Sequence, residues 1–380
     1  MRILGKGKTA VGIKNIYQDA ILYDDEDKNI YDIKSDDLTV VSPGIPPSNY
    51  LVKHTKNIIS DYDLFLKEDV YTIWISGTNG KTTTTQMLQY LLKSEGSVAG
   101  GNIGTPLSDI FNENLLILET SSFTLHYTNK VKPNIYMLLP ISEDHISWHG
   151  SFSEYENSKL KPLTLMDEED IAIIPYKYNH IKTKAKVYTY KNSEDLANQF
   201  DIKIKKINFK EPFLLDAVLS MVTAKLYSGK INYEQINSFI QDPHKIEEFK
   251  DKKNRLWIDD SKATNIDATL QAVKTYENKK IYLILGGDDK GVDLIPLFNI
   301  LKNHDITIYT IGKNNERLVK LAIKYNIKFI SCKELKKAVY KISEDYDEVK
   351  SVVAMLSPAA ASLDQFVSYK QRGEKFKEFV

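Results

Sequence analysis

The chain has 380 residues, with 51 basic and 51 acidic side chains, so its formal net charge is zero. This length suits two or three domains of roughly 100–200 residues each, and the charge balance argues against a nucleic-acid or membrane-surface partner. The single cysteine, Cys332, excludes an internal disulfide framework and is typical of a reducing cytoplasm, where we expect an inert thiol.

Targeting and anchoring signals are not expected from the sequence. The first ten residues, MRILGKGKTA, lack the apolar core of a signal peptide. No run reaches the roughly 20 apolar residues that cross a bilayer. We therefore expect a cytoplasmic protein that does not insert into a membrane, binds no nucleic acid and acts as a monomer on small molecules.

Short apolar runs, each followed by Gly, Ser, Asp or Glu, recur along the chain, and many lead into a helical pattern. Such runs are typical of buried parallel strands that alternate with helices. The clearest are AILYDD, LTVVSPG, TIWISGTNG, LLILETSS, NIYMLLPISEDH, RLWIDDSKATN, IYLILGGDDKG and VVAMLSPAAAS. The sequence therefore predicts an α/β protein whose ligands bind beyond the carboxyl ends of its strands.

Shifts in this pattern predict three domains, at residues 1–68, 69–240 and 241–380. The first holds LGKGKTA and SPGIPP. The second begins with YTIWISG and includes a β-prone stretch rich in Lys and Tyr, IAIIPYKYNHIKTKAKVYTY. The third begins near QDPHKIEEF, where Pro243 precedes a charge-rich turn.

The stretch YTIWISGTNGKTTTTQMLQYLL predicts a phosphate-binding loop. Residues 71–76 have the pattern of a strand, and residues 82–92 have the pattern of a helix with one apolar face. Gly77 and Gly80 permit a tight turn whose N–H groups face an anion at the helix N-terminus. Lys81 can reach the outer phosphates. The spacing is shorter than GxxxxGK[ST], but strand, loop and helix follow in the required order.

Downstream polar residues predict a magnesium site beside this loop. Thr82 offers a hydroxyl, and Glu119 ends the run LLILE, so both can supply oxygen to a hard cation. We expect Asp144 and His145 at the end of the next strand, and Lys159 lies beyond them in EYENSKLK. Taken alone, Glu119 is equally consistent with a surface carboxylate and His145 with a structural histidine. Their position after a phosphate loop favours a functional site.

The third segment carries three polar turns that can bind a second anionic substrate. They are WIDDSKATN, LILGGDDKG and LSPAAASLDQF. Each turn, taken singly, is also consistent with a helix cap or a hairpin. Their candidate side chains and glycines are Asp259, Asp260, Lys262, Thr264, Asn265, Gly286, Gly287, Lys290, Ser357 and Ser362.

Two other functional classes stay open at this point. LGKGKTA fits G-x-G-x-x-A, and Asp25 follows Gly5 by about 20 residues, as in nicotinamide-dependent oxidoreductases. That hypothesis leaves the Lys81–Thr82 loop unused. A non-catalytic nucleotide-binding regulator would bind ATP without substrate-dependent phosphate release.

Together the motifs resemble those of the Mur ligases, the ATP-dependent amide-forming enzymes of peptidoglycan precursor synthesis. GTNGKTTT is similar to the family's ATP loop, and GNIGTP, ETSSF and SEDH are similar to motifs of its central domain. DDSKATN, LGGDDKG and LSPAAASLDQF followed by QRG resemble motifs of the member that adds D-glutamate. The matches run in order from residue 5 to residue 373.

The resemblance implies a Rossmann-like UDP-binding N-terminal domain, a central P-loop-type ATPase domain with a mainly parallel sheet and a Rossmann-like C-terminal domain. It implies ATP-dependent addition of D-glutamate to UDP-N-acetylmuramoyl-L-alanine through an acyl phosphate, with Mg²⁺ as cofactor. A different amino acid substrate, as in other Mur ligases or folylpolyglutamate synthase, is the alternative.

The resemblance also implies residue roles. ATP would contact residues of two motifs and their flanks: Gly77, Thr78, Asn79, Gly80, Lys81, Thr82, Thr83, Lys245, Asp260 and Lys262. The UDP-substrate would contact Gly7, Lys8, Thr9, Asp24, Asp25 and Asn102. D-Glutamate would contact Thr264, Lys290, Ser362 and Tyr369. Magnesium would be held by Thr82, Glu119, His145 and Lys159, and the catalytic residues would be Lys81, His145 and Lys159.

Lys159 matches the lysine that the family carbamylates, a change that turns a cation into an anion suited to a metal site. Three departures bear on these roles. Lys245 replaces the family's Arg after Pro-His and lacks its bidentate fork. The usual central His-Asn pair is absent, with KEPFLLDAVLSM as its counterpart, and Tyr369 stands where Phe is usual.

Overall fold

The computed structural model describes residues 1–346 and 351–380. The chain divides into two compact units, Met1–Phe239 and Ile240–Val380. The first unit contains two β-sheets and the second contains one.

The N-terminal sheet has four parallel strands in the order β2-β1-β3-β4. The strands are β1 (Arg2–Leu4), β2 (Ile21–Tyr23), β3 (Thr39–Val41) and β4 (Ile58–Ile59). The helices of this part are α1 (Lys8–Ile16), α2 (Tyr50–Lys53) and α3 (Asp61–Phe65). Ala10 and Ile13, three positions apart on α1, are fully buried, because residues at that spacing share one helix face.

The central sheet has six parallel strands in the order β10-β9-β8-β5-β7-β6. The strands are β5 (Tyr71–Ser76), β6 (Val98–Gly101), β7 (Leu115–Glu119), β8 (Ile135–Leu138), β9 (Ile171–Pro175) and β10 (Lys186–Tyr190). Ile73 and Ile75 pack in one hydrophobic cluster, and Trp74 between them packs in another. Both faces of the sheet are therefore covered, which explains the continuous apolar runs in the sequence.

The helices around the central sheet connect its parallel strands or follow them. They are α4 (Lys81–Leu91), α5 (Ser122–Tyr127), α6 (Ile146–His149), α7 (Phe152–Leu165), α8 (Ser193–Gln199), α9 (Phe213–Ser228) and α10 (Tyr233–Asn237). Short 3₁₀ turns in this first unit cover Asp25–Asn29, Lys93–Glu95, Leu107–Asp109, Tyr176–Tyr178 and Ile204–Lys206.

The second unit is built on a mainly parallel sheet in the order β11-β12-β16-β13-β14-β15, in which only the pair β11–β12 is antiparallel. Its strands are β11 (Glu247–Lys250), β12 (Leu256–Asp259), β13 (Lys280–Gly286), β14 (Ile306–Ile311), β15 (Lys328–Lys333) and β16 (Val352–Leu356). Its helices are α11 (Ile266–Thr275), α12 (Ile295–Leu301), α13 (Asn315–Lys324), α14 (Leu335–Asp345) and α15 (Tyr369–Phe379).

The predicted α/β architecture with mainly parallel sheets is confirmed. The strand at residues 71–76 matches β5, and the helix predicted to start at residue 82 starts one residue earlier, at Lys81. Cys332 is buried, and burial raises the pKa of its thiol to about 11, as expected for an inert thiol. Among the described residues, no helix is long and apolar enough to cross a membrane.

Candidate nucleotide and substrate site

The loop between β5 and α4 requires glycine at two positions. Gly77 and Gly80 have φ angles of 141° and 85°, a region that other L-residues rarely adopt. A Cβ atom on Gly80 would lie 2.6 Å from Oδ1 of Asp216, and one on Gly77 would lie 2.4 Å from Cβ of Leu139. Gly80 is also the N-cap of α4 and provides no side-chain cap, so the helix N-terminus keeps donors for an anion.

Lys81 folds back over this loop. Its Nζ donates to the carbonyl oxygens of Gly77 at 3.0 Å and Thr78 at 2.8 Å. The Thr78 hydroxyl donates to the carbonyl oxygen of Ser142 at 3.0 Å and lies 2.9 Å from the Tyr155 hydroxyl. The predicted phosphate-binding residues therefore form one compact turn with a cation at its rim.

Glu119 joins three of the predicted motifs. It is the last residue of β7 and is almost fully buried. Its Oε2 accepts a hydrogen bond from the Thr82 hydroxyl at 2.8 Å, and its Oε1 accepts one from the Asn102 amide at 2.9 Å. A hydroxyl and a carboxylate are ligands that Mg²⁺ takes in proteins, so this pair fits the predicted metal.

Lys159 is buried beside the same loop, with 1% of its surface exposed. Its Nζ donates to the Gly77 carbonyl at 2.8 Å and lies 4.9 Å from the centre of the Tyr155 ring. Burial, followed by the charge of Lys81, holds the pKa of Lys159 well below its ordinary value, although Asp144 and Glu119 oppose this shift. A neutral amine is the form that reacts with electrophiles such as CO₂.

The structure places Asp144 and His145 differently from the sequence expectation. They do not lie directly at a strand end, because β8 ends at Leu138 and a loop follows. That loop crosses the phosphate loop, where Thr78 N donates to the Pro140 carbonyl at 3.1 Å. His145 adopts a φ angle of 54° as the N-cap of α6, and its ring packs edge-on against Phe123. The His145 ring centre lies 6.0 Å from that of Tyr155, whose hydroxyl lies 2.9 Å from the Thr78 hydroxyl of the phosphate loop.

A cavity of about 430 Å³ opens beside Asn102 in the first unit. Two glycine-rich turns line it, residues 5–9 and residues 101–104, so the predicted Gly7, Lys8, Thr9 and Asn102 share one wall. Helix α1 begins in this wall, at Lys8, with Gly7 as an N-cap that offers no side chain. This arrangement suits an anionic group of a ligand.

Asp24 and Asp25, predicted near the uridine, have protein partners. Asp24 pairs with Lys6 at 2.6 Å and caps the following 3₁₀ turn. Asp25 accepts a hydrogen bond from the Asn49 amide at 2.8 Å. Lys6 also lines the cavity, so Asp24 is connected to the cavity lining by its ion pair with Lys6.

Sequence reasoning missed several polar residues of this region. Ser42, Asp61 and Tyr62 line the cavity, and Asp216 accepts a hydrogen bond from the Thr84 hydroxyl at 2.9 Å next to the phosphate loop. Asp216 lies in the apolar helix pattern LLDAVLSM, where a lone acid is itself a signal. Ser42, Asp61 and Tyr62 follow short apolar runs but carry no motif of their own.

In the second unit, Asp260 lies just past β12 and is buried. Its Oδ2 accepts a hydrogen bond from the Ser357 hydroxyl at 2.6 Å and its Oδ1 accepts one from Ile246 N at 3.2 Å. Burial raises the pKa of Asp260 to about 8, although the bond from Ser357 opposes this rise. Lys262 lies 5.3 Å from the Tyr369 ring centre, so two residues predicted for different ligands are neighbours.

The residues predicted for D-glutamate come from turns at one edge of this sheet. Asp288 and Ala361 exchange backbone hydrogen bonds of 2.9 and 3.0 Å, which sets the turn of Lys290 beside the turn of Ser362. Lys290 is exposed and Ser362 is buried. Thr264 is exposed in the turn after β12, the strand that pairs with β16, which in turn pairs with β13.

His244, Glu247 and Asp259 in the second unit lie within 4.8 Å of one another through their ligand atoms. A cation already occupies this group, because Lys377 Nζ lies 2.6 Å from Glu247 and 3.7 Å from Asp259. We therefore assign no metal to it. Lys245, predicted for ATP, has Nζ 3.3 Å from Asp242 in the adjoining turn.

Comparisons with known proteins identify a family match and named relatives. Residues 75–214 match the family model described as the Mur ligase middle domain. A Campylobacter jejuni (strain RM1221) protein named UDP-N-acetylmuramoylalanine–D-glutamate ligase is 51% identical over 353 residues, which cover 93% of this chain and 87% of that protein. A Helicobacter pylori (strain HPAG1) protein of the same name is 43% identical over 417 residues and covers 100% of this chain and 98% of that protein.

Solved structures share the fold. The crystal structure of MurF ligase from Thermotoga maritima in complex with ADP aligns with a TM-score of 0.62 at 15% identity. The alignment covers 99% of this chain and 93% of that chain. At this level of identity the likeness concerns the three-domain architecture.

The phosphate loop can be tested with a glycine substitution. We expect Gly80→Ala to weaken ATP binding by roughly tenfold or more, because a Cβ would meet Asp216 and the φ angle of 85° would be strained. Gly229→Ala is the matched control, since Gly229 has a φ of 75° and no atom within 4 Å of an added Cβ. Calorimetric titration with ATP measures both; equal affinities for the two variants would contradict the loop assignment.

Proposed function

The chain belongs to the Mur ligases, and we propose that it joins D-glutamate to UDP-N-acetylmuramoyl-L-alanine in peptidoglycan precursor synthesis, converting ATP to ADP and phosphate. One observation carries this proposal. The Glu119 carboxylate accepts hydrogen bonds from Thr82 of the phosphate loop and Asn102 of the cavity wall. A triphosphate bound to the loop and the carboxylate of a substrate bound in the cavity would therefore both lie next to Glu119. The names of the relatives at 51% and 43% identity support D-glutamate as the amino acid.

Roles divide among the three predicted domains. Residues 1–68 and the Gly101–Asn102 turn would hold the nucleotide sugar, with its diphosphate at the N-terminus of α1. Residues 69–240 would hold the triphosphate on the loop at Gly77–Thr83. Residues 241–380 would bind D-glutamate through Thr264, Lys290, Ser362 and Tyr369, with Lys290 as counter-charge, and the nucleotide through Lys245, Asp260 and Lys262.

The first chemical step would be phosphoryl transfer to the carboxylate. An oxygen of the alanine carboxylate attacks the γ-phosphorus, the bond to the β-phosphate oxygen breaks, and an acyl phosphate and ADP result. Two anions repel each other in this step, so positive charge at the loop lowers the barrier. Lys81 would supply it, and the position of its Nζ against the loop carbonyls supports this role.

Magnesium fits beside that lysine. Thr82 and Glu119 would hold the ion, with His145 and a modified Lys159 as further ligands, and it would neutralise phosphate charge when bound. The hydroxyl oxygen of Thr82 would then be one of the ligands of the ion. The buried position of Glu119 limits water around this carboxylate, which strengthens its interaction with a cation.

The second step would form the amide. The nitrogen of D-glutamate attacks the acyl carbon, a tetrahedral intermediate forms, and the carbon–oxygen bond to phosphate breaks as the amine loses its proton. Lys290 would draw a carboxylate of D-glutamate into its turn, since it is an exposed cation on a glycine-rich loop. The cytoplasmic location and monomeric state expected from the sequence stay predictions.

The proposal is tested by phosphate release from ATP in the presence of Mg²⁺ and UDP-N-acetylmuramoyl-L-alanine. We expect release with D-glutamate and none above background with L-glutamate. Lys81→Ala should lower the rate roughly a hundredfold or more, whereas Lys93→Ala, beyond the end of α4 and exposed, should not. Phosphate release with L-glutamate but not with D-glutamate would favour the folylpolyglutamate-type alternative. ATP binding without phosphate release would favour a non-catalytic regulator.

We further propose that Lys159 carries a carbamate. Its neutral amine would attack CO₂, forming a nitrogen–carbon bond and releasing one proton to water, and the resulting anion would face the metal site. The lowered pKa of Lys159 favours this reaction, because it raises the fraction of the amine that is neutral.

Carbon-13 NMR with labelled bicarbonate measures this modification directly. We expect a carbamate resonance in the wild-type protein and in Lys161→Ala, since Lys161 lies on the same helix and donates to the His126 carbonyl instead. The resonance should be absent from Lys159→Ala. A spectrum without a carbamate, or one unchanged in Lys159→Ala, would refute the modification at Lys159.

A further inference from the structure

Asp61 is a buried carboxyl in the cavity wall. It is the first residue of α3, it is 7% exposed, and it lines the cavity together with Tyr62. Among the described residues its Oδ1 atom has no hydrogen-bond partner. Burying an acceptor without a partner is costly, so this oxygen lacks the compensation that a buried acceptor usually has.

Asp63, two positions along the same short helix, shows what a structural carboxylate looks like here. Its Oδ1 accepts hydrogen bonds from Lys130 N at 2.8 Å and Val131 N at 3.1 Å, and its Oδ2 accepts one from Asn129 N at 2.9 Å. Asp63 ties α3 to the segment after α5. Asp61 makes no such connection among the described residues.

Burial also makes the ionised form of Asp61 less favourable. It raises the pKa of the carboxyl to about 6, while the backbone N–H groups of Asp61 and Tyr62 oppose the rise. At neutral pH the group is therefore mostly ionised, but in an environment that disfavours the charge. A hydrogen bond from a ligand would compensate for this desolvation.

The position of Asp61 indicates which part of a ligand it meets. The next residue, Tyr62, has its hydroxyl 3.4 Å from the Glu119 carbonyl oxygen and 2.8 Å from where a Cβ on Gly101 would lie. Tyr62 thus joins α3 to the Gly101 turn, and Asp61 lines the same cavity as Gly101 and Asn102. The N-terminus of α1 and the lysines at positions 6 and 8 are the cationic part of this lining.

A diphosphate would favour that cationic part and would be repelled by a carboxylate. Between the diphosphate and the reacting carboxylate of the nucleotide sugar lie groups that can donate a hydrogen bond, namely sugar hydroxyls and amide N–H groups. Ser42 also lines this cavity, and its hydroxyl has no hydrogen-bond partner among the described residues.

We propose that Asp61 is a specificity-determining residue that accepts a hydrogen bond from an N–H or O–H group of the N-acetylmuramoyl-L-alanine portion of the substrate. The assignment rests on the proposed function, because it takes a nucleotide sugar as the occupant of the cavity. Asp61 would thus select the sugar half of the substrate, whereas other residues of the cavity bind its diphosphate.

Calorimetric titration of the full chain with UDP-N-acetylmuramoyl-L-alanine and with UDP separates the two halves of the ligand. We expect Asp61→Asn to weaken binding of the nucleotide sugar by roughly tenfold or more and to change binding of UDP by less than about twofold. Asp36→Asn is the control, because Asp36 is an exposed carboxylate paired only with Lys56 at 3.2 Å among the ion pairs of the described residues. It should behave as wild type.

Thermal unfolding of the free protein distinguishes a binding role from a structural one. Ionisation of Asp61 opposes folding above its folded-state pKa of about 6, so Asp61→Asn should raise the melting temperature or leave it unchanged at pH 7.5. The difference should shrink as the pH falls toward 4, where the wild-type carboxyl is protonated. A structural carboxylate would give a lower melting temperature instead.

Several results would overturn the assignment. Equal affinity of wild type and Asp61→Asn for the nucleotide sugar would exclude it, as would equal losses for UDP and the nucleotide sugar. Should Asp61→Asn fail to fold, Asp61→Ser must show the same selective loss, and unfolding of both variants would establish a structural role. A wild-type chain that binds no nucleotide sugar would refute the proposed function itself, whereas wild-type binding with an unaffected variant would refute only the role of Asp61.

Discussion

The site depends on one carboxylate that is hydrogen-bonded on both of its oxygens. Glu119 ends a central strand, receives the Thr82 hydroxyl on one side and receives the Asn102 amide on the other. Thr82 belongs to the helix that starts at the phosphate loop, and Asn102 belongs to the wall of the cavity. Because a buried charged acceptor makes strong hydrogen bonds, this residue fixes the distance between two binding regions.

In each of the two units, some ionisable groups lie in environments that disfavour their charged forms. Burial lowers the pKa of Lys159 and raises those of Asp61 and, in the second unit, Asp260. Groups with such shifts are frequent at functional sites, where a ligand or a metal later compensates the desolvation. Asp63, with four backbone donors, shows that the same chain stabilises a carboxylate fully where its role is to hold the fold.

The local features could be predicted from the sequence. The strand–loop–helix at residues 71–91 follows from an apolar run, two glycines and a helical face, all of which are encoded within about 20 neighbouring residues. The position of Glu119 at a strand end follows from the run LLILE in the same way. The meeting of Thr82, Glu119 and Asn102 could be expected because the ends of parallel strands share one edge of a sheet.

Features that depend on the packing of distant segments could not be predicted. Asp61 and Ser42 line the cavity only because α3 and the turn after β3 come together with the Gly101 turn, and no spacing in the sequence encodes that contact. The ion pair of Asp24 with Lys6 and its cap on the following turn could not be predicted either, and its place near the uridine stays a prediction. His145 was expected at a strand end, but the loop after β8 first crosses the phosphate loop.

The membership of the chain in the Mur ligases excludes the nicotinamide-dependent alternative that LGKGKTA left open. That motif occupies the turn between β1 and α1, where it lines the cavity with Gly5 and Gly7. A glycine-rich turn at a helix N-terminus binds phosphate groups of many ligands, so the motif alone could not identify the cofactor. The Lys81–Thr82 loop, which that alternative left unused, decides between them.

The central claim is that an oxygen of the substrate carboxylate attacks the γ-phosphorus of ATP. It is tested by supplying UDP-N-acetylmuramoyl-L-alanine with both carboxylate oxygens replaced by ¹⁸O, together with ATP, Mg²⁺ and D-glutamate. We predict that each phosphate released carries one ¹⁸O atom, visible by mass spectrometry, because that oxygen stays with phosphorus when the amide forms. Phosphate without the label, or label found in a nucleotide product, would contradict the acyl-phosphate route.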